Sequence, residues 1–148
     1  AQLSIGYPGK EAEMKILMDR KNEDPMDKVI SIVNRENLVE MKNKVKEVFV
    51  HEKMYEYITD LVRGTRENEL IKMGISPRGA ISICAMGQAW AFMHGRNYVI
   101  PQDIRDIFFD AVCHRILISP KAHAQGKSIY EILSELVAAT KIPGVTKE

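Results

Sequence analysis

Apolar residues recur along most of this chain at intervals of three and four, the spacing that gathers them on one side of a helix. The clearest set is Met54, Tyr57, Ile58, Leu61 and Val62, which predicts an amphipathic helix over residues 52–64 with Gly64 near its end. Ile104, Ile107, Phe108, Ala111 and Val112 repeat the spacing after Pro101. Ile129, Ile132, Leu133, Leu136 and Val137 repeat it again after Ser128 and stop before Pro143. Met14, Leu17 and Met18 mark one side of a more charged helix over 9–21, and Leu38, Met41, Val45 and Val48 give another that starts after Asn34. The segment from Pro77 to His94 is apolar nearly all round. That pattern predicts a helix at the centre of a bundle, closed by Gly95 just past its last turn.

Between the helices the pattern breaks. "NEDPMD" (22–27) reads as a loop, and "TRENELIKMG" (65–74) as polar and irregular. "KVISIV" (28–33) is rich in β-branched residues and predicts a short extended segment, with "VFV" (48–50) as its possible partner. "NYVI" (97–100) is a brief extended link. The fold class expected is mostly α: a compact helical bundle with at most a small two-stranded β element. His51 is placed to cap the helix that follows it, Trp90 to anchor the core, and the methionines, mostly at core-facing spacings, to fill it.

Composition changes little in this picture. A length of 148 residues suits one domain with extensions, and 45% hydrophobic against 28% charged residues can build a core. The net charge of +1 gives no bulk case for nucleic acid or an anionic membrane. No apolar run reaches the length of a membrane span, and Cys84 and Cys113 read as free buried thiols in a reducing cytoplasm. The chain opens on "AQLSIGYPGK", an extended apolar piece entered part-way, and this predicts a section of a longer protein.

Candidate chemistry is sparse. "GYPGKE" has the glycine–lysine pair of a phosphate loop at Gly9 and Lys10, but Ser4 stands where the first glycine belongs and Glu11 where Ser or Thr must hold magnesium. The four histidines have no metal-ligand spacing, and neighbouring Cys113 and His114 fall on different faces of a helix. Arg63, Arg66, Arg78 and Arg115 are the basic residues hardest to read as solvated helix faces. Arg78 poses a question of its own. Ser76 and Pro77 form a helix start, so Arg78 sets a cation against the positive end of the helix dipole, at a cost of about 0.3–1 kcal/mol if it has no partner. From the residues alone, two answers stand equal. Arg78 bridges Glu67 or Glu69 across the preceding loop, or it joins the free N–H groups of the helix end in an anion site.

A resemblance tips that balance. "ISPRGAISICAMGQAWAFMHGRNYVIPQDIRD" resembles the C-terminal lid domain of MoxR-family AAA+ ATPases, the methanol dehydrogenase regulatory protein-like group. The matching motifs are Gly74-Ile75-Ser76-Pro77-Arg78, Gly95-Arg96-Asn97-Tyr98-Val99, Pro101-Gln102-Asp103-Ile104 and His114-Arg115-Ile116, with "IGYPGKEAEMKIL" and "YITDLVRGTRE" upstream. Gly79 departs from the family's usual alanine, and the Walker A and B motifs are absent from these residues. The resemblance implies a hinge from the ATPase core at 1–8, an AAA+ lid at 9–118 and a C-terminal helical extension at 119–148. It makes Arg78 the sensor 2 arginine, reaching the phosphates of ATP, with Ser76 and Pro77 beside it and Ile5, Gly6, Tyr7 and Pro8 near the adenine. ATP and Mg are then held mainly by the core of the same chain, and the lid by itself does not hydrolyse ATP. The parent is implied to be a cytoplasmic ATP hydrolase and chaperone, in a homo-oligomeric ring. Its client is a von Willebrand factor A-domain protein or a metalloenzyme, with no nucleic acid or membrane partner. The alternative from a different class is a helical nucleic-acid- or protein-interaction module without nucleotide chemistry.

Overall fold

The computed structural model describes residues 1–20 and 24–144. The last residue of the first predicted helix, the first two of the "NEDPMD" loop, and positions 145–148 of the predicted extension lie outside that description. The chain divides into two units, residues 3–41 and residues 1–2 together with 42 onward.

In the first unit, α1 (Lys10–Asp19) opens after Gly9 with Glu11 and Glu13 in its first turn, where acids suit the dipole. None of its residues is buried, and Leu17 and Met18 are largely exposed. A 3-10 turn, Pro25–Lys28, is capped by the Asp24 carboxylate, which accepts from the Met26 N–H at 3.0 Å. Asn34 Oδ1 accepts from the Asn37 N–H at 2.8 Å and starts α2 (Arg35–Lys46), as its position predicts. The extended segment expected at 28–33 does not form a strand. Lys28 closes the 3-10 turn and the Ser31 hydroxyl donates to the Val33 carbonyl at 2.9 Å, local bonds that compete with a ladder.

The second unit is built round α3 (Glu52–Glu67), which buries Met54, Tyr57, Ile58, Leu61, Val62 and Thr65 on one side. His51 does cap it, its Nδ1 accepting from the Lys53 N–H at 3.1 Å. Burying a side chain such as Leu61 contributes about 1.5–3 kcal/mol. Against α3 pack α4 (Pro77–Met93), α5 (Pro101–Val112) and α7 (Ile129–Ala139). A 3-10 turn (Cys113–Arg115) follows α5, and α6 (Pro120–Ala124) is a short helix that the periodicity did not predict. Ala122, Ile132, Leu133 and Val137 join the same core as α3 and α5. Ser128 and Glu131 cap α7 reciprocally, Ser128 N–H to Glu131 Oε2 at 2.7 Å and Glu131 N–H to Ser128 Oγ at 3.2 Å. The Ser128 N–H and hydroxyl, both donating to the carboxylate, hold the Glu131 carboxyl below its usual range.

The β element pairs differently from expectation. β1 (Ile71–Met73) lies inside the stretch read as irregular and runs antiparallel to β2 (Leu117–Ile118), Ile71 opposite Ile118 and Met73 opposite Leu117. Phe49 meets Tyr98 instead in a single parallel bridge. Ser119 continues the β1–β2 contact, its N–H donating to Leu70 O at 2.8 Å and its hydroxyl to Glu69 O at 3.0 Å.

Nor is α4 enclosed on all sides. Its buried residues are Gly79, Ile83, Gly87 and Ala91, a seam at four-residue spacing, while Ile81 and Met93 are 71% and 75% exposed. Much of its apolar character comes from alanine and glycine, whose exposure gives up little burial. The seam serves close approach. A Cβ on Gly87 would meet Ile104 Cδ1 at 2.5 Å, so α4 and α5 pack at short range. The methionines are likewise mostly outside: Met54 is fully buried, but Met14, Met18, Met26, Met41, Met73 and Met93 are exposed. Trp90 is half-buried against the core with its Nε1 donating to Asp106 Oδ2 at 3.3 Å. Cys84 and Cys113 are half-buried free thiols, both pushed up in pKa chiefly by desolvation.

Between α4 and α5, Gly95 takes φ +72°, which favours glycine after a helix end. Arg96 then turns back onto Asp103 in a two-pronged ion pair, Nη1 to Oδ2 at 2.7 Å and Nη2 to Oδ1, and also donates to Tyr98 O. The Asp103 carboxylate caps α5 by accepting from the Ile100 N–H at 2.8 Å. Its partnership raises the Arg96 pKa further.

One buried polar atom has no partner among the described residues. The Tyr57 hydroxyl is enclosed without a hydrogen bond, and its desolvation raises the phenol pKa. Tyr57→Phe is therefore expected to hold or raise stability by about 1 kcal/mol. Urea unfolding of the 148-residue chain checks this, and a loss of similar size would show that the hydroxyl is satisfied in solution.

Candidate functional site

The start of α4 gathers the sequence-predicted residues of one unit. Ser76 is the N-cap, its hydroxyl accepting from the Gly79 N–H at 3.3 Å, and Pro77 sits at the first helical position. Arg78 follows, exposed, in a first turn that contains no acid. Its carbonyl accepts from Ser82 Oγ at 3.1 Å, but its guanidinium has no hydrogen bond or ion pair with any described residue.

Both carboxylates weighed as bridges are engaged elsewhere. Glu67 pairs with Arg63 one helical turn back at 3.1 Å, an exposed pair. Glu69 pairs with Lys121, whose ammonium holds the Glu69 carboxyl below its usual range. The unfavourable dipole at Arg78 is thus not relieved by either acid.

Arg66, at the end of α3, donates from Nε to the Ile75 carbonyl at 2.7 Å. Thr65 beside it is fully buried, and its hydroxyl accepts from the Ile75 N–H at 3.0 Å while donating to Val62 O at 2.6 Å. A Cβ on Gly74 would lie 2.7 Å from the Thr65 carbonyl oxygen, so only glycine fits where the chain passes α3. Sequence reasoning singled out Arg66 only as a basic residue and missed Thr65. The signal available was the glycine of the helix-start motif, which marks a close backbone approach. Gly79 also has a packing reason, since a Cβ there would meet Ile75 Cγ2 at 2.4 Å. Arg115 has its Nε donating to His114 Nε2 at 3.1 Å.

The remaining candidates belong to the other unit. Ile5 and Tyr7 are almost completely exposed, Gly6 takes φ +72° and Pro8 is exposed. Among the described residues no three His, Cys, Asp or Glu side chains converge on a metal site, and no helix is long and apolar enough to cross a membrane.

The chain is similar to known proteins over most of its length. The AAA lid domain family profile matches residues 63–136, a span that holds the end of α3, the Ser76–Arg78 start and the Arg96–Asp103 turn. The chain belongs to the AAA lid domain family. Its curated relatives place it with the MoxR-type lids. "Chaperone MoxR1" of Mycobacterium tuberculosis is 28% identical over 97% of this chain and 40% of its own length. "Uncharacterized protein YeaC" of Bacillus subtilis is 30% identical over 96% of this chain and 44% of its own. A Cytophaga hutchinsonii crystal structure described as an ATPase superposes with a TM-score of 0.80 at 29% identity, over 94% of this chain and 45% of that one. The lid spans less than half the length of each of these relatives.

Proposed function

We propose that this lid serves a MoxR-type AAA+ ATPase by placing Arg78 on the phosphates of ATP held by a nucleotide-binding core. The observation that supports this reading is the guanidinium of Arg78 at a helix N-terminus, unpaired among the described residues, with Glu67 and Glu69 both committed to other cations. Backbone N–H groups and an arginine fork at one helix end suit a phosphate. The described residues offer no acid cluster for magnesium, so Mg²⁺ is assigned to the core with most of the ATP contacts.

In this reading Arg78 donates to oxygens of the terminal phosphate and offsets the charge that develops there as the bond to it breaks. When that anion leaves, Arg78 loses its partner and the lid is released against the core, a two-state shift that a few kcal/mol of differential contact can drive. Residues 1–8 act as the hinge, with Ile5, Gly6, Tyr7 and Pro8 near the adenine. The parent works as a cytoplasmic homo-oligomeric ring. It couples the motion to remodelling of a client, a von Willebrand factor A-domain protein or a metalloenzyme.

The test is ATP turnover by the full-length protein, wild type against Arg78→Ala. Turnover is expected to fall roughly a hundredfold to a thousandfold, as for loss of one preorganised donor to a developing anion. The exposed side chain should leave the melting temperature unchanged. Wild-type turnover in R78A would remove Arg78 from the phosphates.

A further inference from the structure

We propose that Thr65 and Arg66 are positioning residues for Arg78, fixing where α4 begins relative to the end of α3; this rests on the reading of Arg78 as a phosphate contact. Ile75 is the residue just before the Ser76 N-cap, and it is fully buried. Both of its backbone polar groups are taken by consecutive side chains of α3. Its N–H donates to the Thr65 hydroxyl at 3.0 Å and its carbonyl accepts from Arg66 Nε at 2.7 Å. Thr65 is itself oriented by its bond to Val62 O, so the acceptor cannot swing away. Gly74 brings the backbone into contact with the Thr65 peptide, where a Cβ would come within 2.7 and 2.8 Å of its carbonyl oxygen and carbon.

A loop residue ahead of a helix ordinarily leaves such groups to water. Here two side-chain hydrogen bonds and one close backbone approach fix the peptides on either side of Ile75, three residues before Arg78. The start of α4 therefore cannot turn or slide without α3. That matters for an arginine at the second position of a helix, because its reach is set by the direction of the first turn. Catalytic contacts need placement within about 0.5 Å, and misplacement by about 1 Å lowers rates on the order of a hundredfold. Arg66 is exposed, and its removal opens no cavity in the core.

The experiment compares kcat and KM for ATP in the full-length protein across Arg66→Ala, Thr65→Val, Thr65→Ser, Arg78→Ala and the R66A/R78A double variant, with a melting temperature for each. R66A is expected to lower kcat about tenfold with little change in KM or melting temperature, the rate loss of a misaligned group. T65V, which loses the hydroxyl and leaves the buried Ile75 N–H without its acceptor, should follow it in kcat with a lower melting temperature, and T65S should restore the wild-type rate. The double variant should turn over no more slowly than R78A, because Arg66 acts only through Arg78. Wild-type kcat in R66A, or effects that multiply in the double variant, overturn this inference while leaving the role of Arg78 standing. Wild-type kcat in R78A overturns the phosphate reading, and this inference with it.

Discussion

Asp103→Ala is expected to lower the unfolding free energy of the 148-residue chain by about 3 kcal/mol, the lower end for breaking a buried ion pair. The Asp103 carboxylate is 2% exposed and has three donors to satisfy: both Nη groups of Arg96 and the Ile100 N–H. Alanine removes all three acceptor contacts together. It leaves the guanidinium of Arg96 with the Tyr98 carbonyl as its one hydrogen-bond acceptor among the described residues, and leaves the first turn of α5 uncapped. The Arg96 side chain is 25% exposed, so water can recover part of the loss, which is why the lower figure applies. Asp103→Asn should fall between the two proteins, since its amide oxygen can still accept from Ile100 while its NH₂ faces Arg96. Urea unfolding measures both, and a loss in Asp103→Ala below about 1 kcal/mol would mean that the turn holds without the pair.

Gly74→Ala should have a comparable effect by a different route. The added methyl meets the Thr65 carbonyl oxygen and carbon below 3 Å, and these are backbone atoms inside a helix rather than the end of a flexible side chain. Relief requires moving the chain at 74–75, which stretches the bonds that Ile75 makes to Thr65 and Arg66. The upper range of overpacking applies, about 3 kcal/mol. For a chain of this size that corresponds to a drop of about 10 °C in melting temperature. A melt within a degree or two of wild type would show that the α3–α4 junction yields easily, and would weaken the positioning role given to Thr65 and Arg66.

The helices that the sequence announced best are those with large apolar side chains on a narrow stripe. In α3 and α5 every residue of the predicted stripe is buried, and α7 follows with Ile132, Leu133 and Val137. The pattern misled where hydropathy came from small residues. Ala80, Ala85 and Ala89 made α4 look enclosed, but a helix of alanine and glycine can stay half in water while its glycines admit a neighbour. The strand pair was hidden for another reason. β1 is three residues long inside a polar stretch, and its partner lies more than forty positions on, so no local signal marks it.

The site divides in the same way. The Ser76–Pro77–Arg78 start was plain from residue types alone. Whether Arg78 had an acid partner was not, because that depends on Glu69 finding Lys121, 52 positions away. The clamp on Ile75 was equally illegible, since Thr65 reads in sequence as one more polar residue of an irregular stretch.

The close contact of Gly87 with Ile104, together with the Arg96–Asp103 pair at the turn, joins α4 and α5 side to side along one end and through their connection. The pair thus behaves as a stiff lever rather than two hinged rods. With 17 residues in α4, the arm is about 25 Å long at 1.5 Å per residue. A tilt of roughly 10° at the Arg78 end would carry the Gly95 end by about 4 Å, the scale at which one packed surface exchanges its neighbour for the next. On the reading proposed for Arg78, a displacement too small to notice at a phosphate is thus amplified at the far end of the helix.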